Sequence, residues 1–255
     1  EQLRTKYNVP AATKATFFSS QIRSQQLFAE QIDAVLGSSA DAFAAGIGLP
    51  ASVIQRAAQC GKFTISLVGS AKHALAAKAA GVDLIVAQGA DAGGHTGPIG
   101  TYSLVPQVVE AAGDVPVLAA GGVGHGRHIA AAFGLGAQGV WLGTAWLTSR
   151  EHAFNEILLR QVLAARGEVT VISKSHSGKS ARLIRSAWTD EWEAPSAPKP
   201  LPMPFQQVLT GELLAAVEEH GIEALSYTGA GQGVGWFNEL KTVDEIVERL
   251  VSETQ

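Results

Sequence analysis

The sequence predicts an α/β fold of the (β/α)8-barrel, or TIM-barrel, type, in which parallel strands alternate with helices. Short and almost continuously apolar runs recur along the chain, and each is followed by an alanine-rich stretch of helical composition. This alternation is typical of βα units with right-handed crossovers. The length of 255 residues also suits a single barrel of this kind.

Five apolar runs are the predicted strands. They contain few polar residues because a strand in a parallel sheet is covered by helices on both of its faces. The runs are residues 40–46, 62–69, 83–89, 115–122 and 137–143. A weaker sixth candidate, residues 14–20, precedes them. A closed barrel needs eight strands, so either two units are missing at the N-terminal side or the sheet is open. We favour a barrel that lacks its first two strands, because the other hallmarks of the fold are present.

The stretches between the strands are predicted to be helices from their composition. Several of them end at a glycine, which is preferred just after the last helical turn because it adopts a positive φ without strain. The glycines predicted to end helices are Gly61, Gly81, Gly113 and Gly136.

Beyond the last predicted strand, the alternation of apolar runs with alanine-rich stretches ends. Residues 151–166 have apolar side chains at the spacing of an amphipathic helix, and residues 205–220 are also predicted to be helical. Residues 193–204 are rich in proline and are expected to form an extended connection. The predicted organisation is an incomplete barrel over 1–148 and a helical C-terminal extension over 149–255 that packs on it.

Composition argues against several classes of protein. The net charge is −4 and no basic stripe is present, so nucleic acid is not an expected partner. No apolar run reaches the roughly 18–20 residues of a membrane span, so a membrane protein is not expected. Cys60 is the sole cysteine, which excludes an intramolecular disulfide and favours a reducing, cytoplasmic compartment. The sequence leaves undecided whether the protein forms a homo-oligomer.

Three glycine-rich stretches are expected to carry the functional site. Each follows a predicted strand, and the ligand sites of parallel α/β folds lie at the carboxyl ends of their strands. Glycine lets the backbone approach a ligand closely, and free N–H groups at helix starts bind anions. The stretches are QGADAGGHTG (88–97), GGVGHGR (121–127) and GTAWLTS (143–149).

A phosphate site is the first hypothesis for two of these stretches. The loops after the last two strands of a barrel often bind a phosphate group. If the last two predicted strands are those strands, the phosphate would lie against Gly121, Gly122, Gly143 and Thr144. For any single stretch, the alternative stays open that its glycines only permit a tight turn.

His95 is the candidate for general acid–base catalysis. It lies in the glycine-rich loop after a strand, and an imidazole titrates near neutral pH. No cysteine, carboxylate or second histidine stands at metal-ligand spacing around it, so a metal site is not expected. His125 and His176 stay undecided. The histidines on predicted helices are expected to be bystanders, and they are His73, His128, His152 and His220.

Two further stretches mimic nucleotide-binding motifs. SGKS (177–180) resembles the end of a P-loop, but Ser173 stands where that motif needs its first glycine. GAGQGVG (229–235) resembles a dinucleotide fingerprint, but Val234 replaces the third glycine and no predicted strand precedes it. The second stretch is still a candidate for a loop close to a ligand.

The combination of motifs resembles the nitronate monooxygenase family, formerly called 2-nitropropane dioxygenases. The resemblance is carried by QGADAGGHTG and VPVLAAGGVGHGRHIAAAFGLGAQGVWLGTAWL, runs from about residue 10 to 240 and is strongest over 83–148. It implies a TIM barrel that binds FMN and oxidises nitronates with molecular oxygen. FMN-dependent enoyl-ACP reductases share much of the same pattern.

The resemblance also implies roles for individual residues. His95 matches the catalytic histidine of the family, which removes or manages the α-proton of the substrate. The GAGQG stretch resembles a segment near the flavin. The residues implied to contact FMN are Gln88, Gly93, Gly94, Gly121, Gly122, Trp141, Leu142, Gly143 and Thr144.

These expectations lead to one leading hypothesis and two alternatives. The leading hypothesis is oxidation of a nitronate by O2 to a carbonyl compound and nitrite, with His95 as the general base when the substrate is a nitroalkane. The first alternative is an NAD(P)H-dependent reductase of enoyl thioesters or quinones on the same scaffold. The second is a truncated barrel without activity, because the family's first two strands, with an A-P-M flavin contact, have no counterpart here.

Overall fold

A computed structural model describes residues 1–14, 25–46 and 50–255 of the chain. The candidate strand at 14–20 lies outside the described residues except for Lys14, so it stays a prediction. The chain forms two compact units. As far as their residues are described, the five-stranded unit comprises Ser24–Ala92, Thr96–Gly143 and Val243–Gln255, and the three-stranded unit comprises Glu1–Arg23, Gly93–His95 and Thr144–Thr242.

The described part of the chain contains eight strands, and five of them confirm the sequence prediction. They are β1 (Ala42–Ala45), β2 (Phe63–Val68), β3 (Leu84–Gln88), β4 (Gly94–His95), β5 (Val117–Ala120), β6 (Gly139–Trp141), β7 (Thr170–Ser173) and β8 (Ala181–Ile184). Five of them form a parallel sheet in the order β1-β2-β3-β5-β6. Each of these five lies inside one of the five predicted apolar runs.

The helices are α1 (Gln2–Lys6), α2 (Gln25–Leu36), α3 (Ala51–Gln59), α4 (Ala71–Ala79), α5 (Thr101–Ala112), α6 (Gly126–Gly134), α7 (Glu156–Ala164), α8 (Ala187–Glu193), α9 (Phe205–Glu219) and α10 (Val243–Ser252). The helices predicted over 151–166 and 205–220 are confirmed as α7 and α9. The four glycines predicted to end helices all have a positive φ, which confirms those helix ends. Across the described residues, no helix is both long and apolar enough to cross a bilayer.

The five-stranded unit has its core around its central strand, β3. Ile85, Val86 and Ala87 are fully buried, as expected for a strand covered on both faces. Leu104 and Val108 of α5 belong to the same apolar cluster as Ile85. The almost continuous apolar character of the run that forms β3 therefore reflects contacts on both sides of the sheet.

The three-stranded unit is built on an antiparallel sheet in the order β4-β8-β7. One apolar cluster of this unit contains Trp188 and Leu225, and another contains Val162 and Ile184. Residues 194–204 contain neither helix nor strand. The division of the chain into domains after residue 148 stays a prediction.

The C-terminal helix, α10, packs on α6 within the five-stranded unit. Glu253, just beyond α10, accepts a hydrogen bond from Gly126 N at 2.9 Å, and its Oε1 lies 3.3 Å from Arg249 Nη1. Burial acts to raise the pKa of the Glu253 carboxyl, but the Gly126 N–H, Arg249 and His125 outweigh burial and lower it. The carboxylate thereby stabilises the positive end of α6.

Glu253→Ala is expected to lower the free energy of unfolding by about 1 kcal/mol, the usual effect of removing a helix cap. Because the folded-state pKa of Glu253 lies below its ordinary value of 4.5, the stabilisation is complete above pH 4.5. It is lost as the pH falls through the folded-state pKa. Urea denaturation of the wild type and the variant should therefore converge at low pH.

Glu248→Ala is the matched control because Glu248 lies on the exposed side of the same helix. We expect it to leave the free energy of unfolding unchanged at every pH. Equal losses of stability in the two variants would contradict a specific role for Glu253 at the start of α6.

Candidate active site

The loop after β3 begins at Gln88, the last residue of that strand, and packs against the start of α5. Thr101 N donates a hydrogen bond to Asp91 Oδ2 at 2.7 Å. Thr96 Oγ1 donates to Gly89 O at 2.9 Å. A Cβ on Gly89 would collide with the backbone of Thr101. Glycine at position 89 is therefore required by packing within the five-stranded unit.

The turn after β5 contains Gly121 and Gly122, which have φ angles of +107° and +75°. A Cβ on Gly121 would lie 2.8 Å from Thr101 Oγ1 and 2.9 Å from Ala92 N, so the fold itself requires glycine there. Among the described residues, none accepts a hydrogen bond from Gly122 N. A backbone N–H in this situation is a suitable donor to a bound anion.

The end of β6 offers a second donor of this kind. Trp141 is the last residue of the strand, and Leu142 and Gly143 follow it. Nothing lies within 4 Å of the position that a Cβ on Gly143 would take, so packing does not require this glycine. In the part of the chain that the structure describes, no acceptor is bonded to Gly143 N.

The start of α6, in contrast, is already occupied by the protein's own groups. Gly126 N donates to Glu253 Oε2, and Arg127 N donates to His125 Nδ1 at 3.1 Å. The expectation that GGVGHGR offers a free helix start is therefore wrong, because a carboxylate and an imidazole cap it. His125, undecided from the sequence, is the N-cap of α6. Burial and then the charge of His125 lower the pKa of nearby His128.

His95 lies in the three-stranded unit as the second residue of β4, and its backbone pairs with Ala181 of β8. Its ring Nε2 is 2.5 Å from Ser177 Oγ. The ring of His176 lies beside it, with ring centroids 5.8 Å apart and planes tilted by 52°. The connection from β7 to β8 thus supplies two polar neighbours to the predicted catalytic histidine.

His176 is held in turn by Tyr227. His176 Nδ1 lies 2.9 Å from the Tyr227 hydroxyl, and the Tyr227 ring stacks on fully buried Trp188 at 5.7 Å between centroids. Burial raises the pKa of Tyr227 well above its ordinary value, so the phenol stays protonated near neutral pH. The side chains of Ser177, His95, His176 and Tyr227 therefore form one chain of neighbouring polar groups.

The loop that carries Ser177 is firmly held. Ser177 is fully buried, and Gln206 Nε2 donates to Ser175 O at 3.0 Å. Gly178 has a φ of +84°, and a Cβ on it would collide with Leu201 O. The loop therefore has little room to move its Ser177 hydroxyl relative to the strands on either side.

The GAGQG stretch packs against two of the predicted site residues. A Cβ on Gly93 would lie 2.6 Å from Ala230 C, and Gly231 N donates to Thr144 Oγ1 at 2.9 Å. This stretch contains no dinucleotide-binding helix and serves instead as a loop beside β4. The predicted residues that the three-stranded unit brings together are Gly93, Gly94, His95 and Thr144.

Three residues of this region have no recognisable sequence signature: Ser177, Tyr227 and Arg182. Ser177 lies in the stretch that resembles the end of a P-loop, and that resemblance hides its contact with His95. Arg182 is only 7% exposed; it pairs with Gly94 in the sheet, and its Nη1 lies 3.0 Å from a threonine hydroxyl on β7. The sequence feature that could have drawn attention to this region is a short polar loop between two apolar runs.

Comparison with known proteins connects this geometry with a family. The model of the nitronate monooxygenase family matches residues 3–253. A Mycobacterium tuberculosis protein named as a monooxygenase, Rv1533, is 40% identical over 263 residues, which cover 99% of this chain and 70% of that protein. A Staphylococcus aureus (strain MSSA476) protein named as a nitronate monooxygenase is 34% identical over 223 residues, which cover 83% of this chain and 62% of that protein.

A solved structure supports the same assignment. Nitroalkane oxidase from Streptomyces ansochromogenes matches with a TM-score of 0.82 and 28% identity, over 98% of this chain and 73% of that one. This likeness confirms the predicted α/β fold of the TIM-barrel type. The chain thus spans roughly two thirds of the length of its relatives. With its family match, its relatives and its fold in agreement, the chain belongs to the nitronate monooxygenase family of flavin oxidoreductases.

Proposed function

We propose that this protein is an FMN-dependent enzyme that oxidises small nitronates, or nitroalkanes, with O2 to a carbonyl compound and nitrite. The observation that carries the proposal is the placement of His95, fixed by backbone pairing in β4 and by Ser177 at its ring. A histidine held in this way is suited to proton transfer. Family membership supports the activity, and the proposal concerns the whole protein because the chain spans only part of its relatives.

FMN is the proposed cofactor. When bound, it supplies the redox chemistry between the substrate and O2. In the five-stranded unit, the N–H groups of Gly122 and Gly143 suit a phosphate group, and Gly121 lets the backbone turn beside them. The other proposed contacts are Gln88, Trp141 and Leu142 in this unit, and Gly93, Gly94 and Thr144 in the three-stranded unit.

His95 is the proposed general base for neutral nitroalkanes. A nitroalkane must lose its α-proton to become a nitronate, and a neutral imidazole can accept that proton near pH 7. A nitronate has already lost this proton and is an anion.

The purified protein is expected to bind FMN and to show its yellow colour and visible absorption. Under anaerobic conditions, a nitronate should bleach this absorption because it donates electrons to the flavin, whereas NADH should not. Bleaching by NADH but not by the nitronate would favour the reductase alternative. A colourless protein that cannot be reconstituted with FMN would favour the inactive alternative.

His95→Ala is expected to lower kcat for a neutral nitroalkane by about 10²- to 10⁴-fold, the usual contribution of a general base. Flavin affinity should be unchanged, as measured by titration of the FMN absorption. His152→Ala is the matched control, because His152 is an exposed histidine of the same unit. Nitroalkane turnover that is equal in the His95 variant and the wild type would remove His95 from the mechanism.

Gly143→Ala tests the phosphate contact. The added methyl group meets no neighbouring atom, so the free energy of unfolding should stay within about 0.5 kcal/mol of the wild type. The Kd for FMN, measured by fluorescence titration, should rise about tenfold because the methyl group obstructs the approach of phosphate to the N–H. Gly134→Ala, also in open surroundings, is the control and should leave the Kd unchanged. An unchanged Kd in both variants would place the phosphate elsewhere.

A further inference from the structure

We propose that Thr101 is a positioning residue for cofactor binding, whose hydroxyl sets the orientation of the Gly121–Gly122 peptide and so directs the Gly122 N–H at the phosphate group of FMN. The inference rests on the proposed function, in which this N–H binds the phosphate. Thr101 is the first residue of α5 and is not itself a ligand in this proposal. It acts through the turn that follows β5.

The Thr101 hydroxyl is bonded to the carbonyl oxygen of this peptide. Thr101 Oγ1 donates to Gly121 O at 3.1 Å, and the direction of the bond is certain because a carbonyl oxygen can only accept. The preceding carbonyl oxygen, Ala120 O, lies farther away at 3.4 Å and already accepts a hydrogen bond from Gly89 N at 3.0 Å. Among the residues that the structure describes, only Thr101 donates to Gly121 O.

The geometry of the peptide bond connects this contact with the Gly122 N–H. The bond between Gly121 and Gly122 is trans, so its C=O and its N–H point in opposite directions. A carbonyl that faces Thr101 therefore turns the Gly122 N–H away from that residue. If the peptide rotated, the carbonyl oxygen would take the place of the N–H, and a phosphate would meet an acceptor instead of a donor.

The turn depends on such a contact because a glycine stands on each side of the peptide. Rotation of a peptide plane changes the ψ of the residue before it and the φ of the residue after it, and glycine accepts both signs of φ. Gly121 and Gly122 have φ angles of +107° and +75°. The conformational preferences of these two residues do not select one orientation, whereas the hydrogen bond from Thr101 does.

Thr101 is itself firmly placed within the five-stranded unit. Its N–H donates to Asp91 Oδ2 at 2.7 Å. A Cβ on Gly89 would collide with both the nitrogen and the hydroxyl oxygen of Thr101, and a Cβ on Gly121 would lie 2.8 Å from the same oxygen. Two of the glycines that the fold requires are therefore the ones that let Thr101 reach the turn.

A comparison of FMN with riboflavin, which lacks only the phosphate group, tests the proposal. Thr101→Val removes the hydroxyl and keeps the shape of the side chain. It should raise the Kd for FMN about tenfold, as expected for one weakened hydrogen bond to a charged group, and change the Kd for riboflavin less than about twofold. Both values come from fluorescence titration.

Two further variants serve as controls. Thr101→Ser keeps the hydroxyl and should bring the Kd for FMN back to within about threefold of the wild type. Ser103→Ala removes an exposed hydroxyl from the same helix and should leave both Kd values unchanged. Equal increases for FMN and riboflavin in Thr101→Val would show a general effect on the fold, and an unchanged Kd for FMN would show no effect on the phosphate. Either result would overturn the proposal.

Crystal structures of the flavin-free wild type and of Thr101→Val test the orientation directly. In the wild type, Gly121 O should lie within hydrogen-bond distance of Thr101 Oγ1. In the variant, the Gly121–Gly122 peptide should be rotated or present in two orientations. An unchanged peptide in the variant would overturn the proposal even if FMN bound more weakly. A wild type that binds no FMN would refute the proposed cofactor, while these structures would still decide whether Thr101 orients the peptide.

Discussion

The two-residue ladder between β4 and β8 is the constraint on which the candidate active site depends. It fixes the backbone of His95 opposite Ala181, and the connection into β8 brings Ser177 to the ring. A strand of two residues would not persist by itself in water. It is held because Gly93, just before it, packs directly on Ala230, with no space for a side chain between them. Catalytic groups must be held to within a fraction of an ångström, and this combination of pairing and close packing meets that need.

The glycines of the site fall into two physical classes. Gly89, Gly93 and Gly121 stand where a Cβ would overlap another part of the backbone or a nearby side chain, so the fold requires them. Gly143 stands in open space and is not required by packing. The richness of glycine therefore locates the strand ends correctly, but only the surroundings of each glycine separate the residues that permit a turn from a residue that leaves its N–H accessible to a ligand.

How far this sequence could be interpreted depended on whether a feature is set by local pattern or by contacts between distant residues. The five parallel strands were predictable because burial on both faces leaves an apolar run that can be read locally. Strand β4 was not predictable, because a strand of two residues is too short to show a periodic pattern and its pairing depends on tertiary contacts. The partner of His95 lies 82 residues away in the chain, and the partner of the α6 start at Gly126 lies 127 residues away. Local patterns contain no information about such contacts, so Ser177 and Glu253 could not be identified as neighbours of these sites.

The start of α6 is already occupied by the protein's own side chains, and this limits where an anion could bind in the five-stranded unit. A helix start attracts a phosphate through its dipole and its unpaired N–H groups. At the start of α6, however, Glu253 accepts the hydrogen bond of one N–H and His125 accepts that of the next. Arg249, close to Glu253, compensates the charge that this carboxylate introduces. The helix dipole therefore contributes to folding stability, and the proposed anion site consists of neutral N–H groups at the strand ends. Such donors are rigid parts of the backbone, so in the proposed site they would bind a phosphate without rearrangement of a charged side chain.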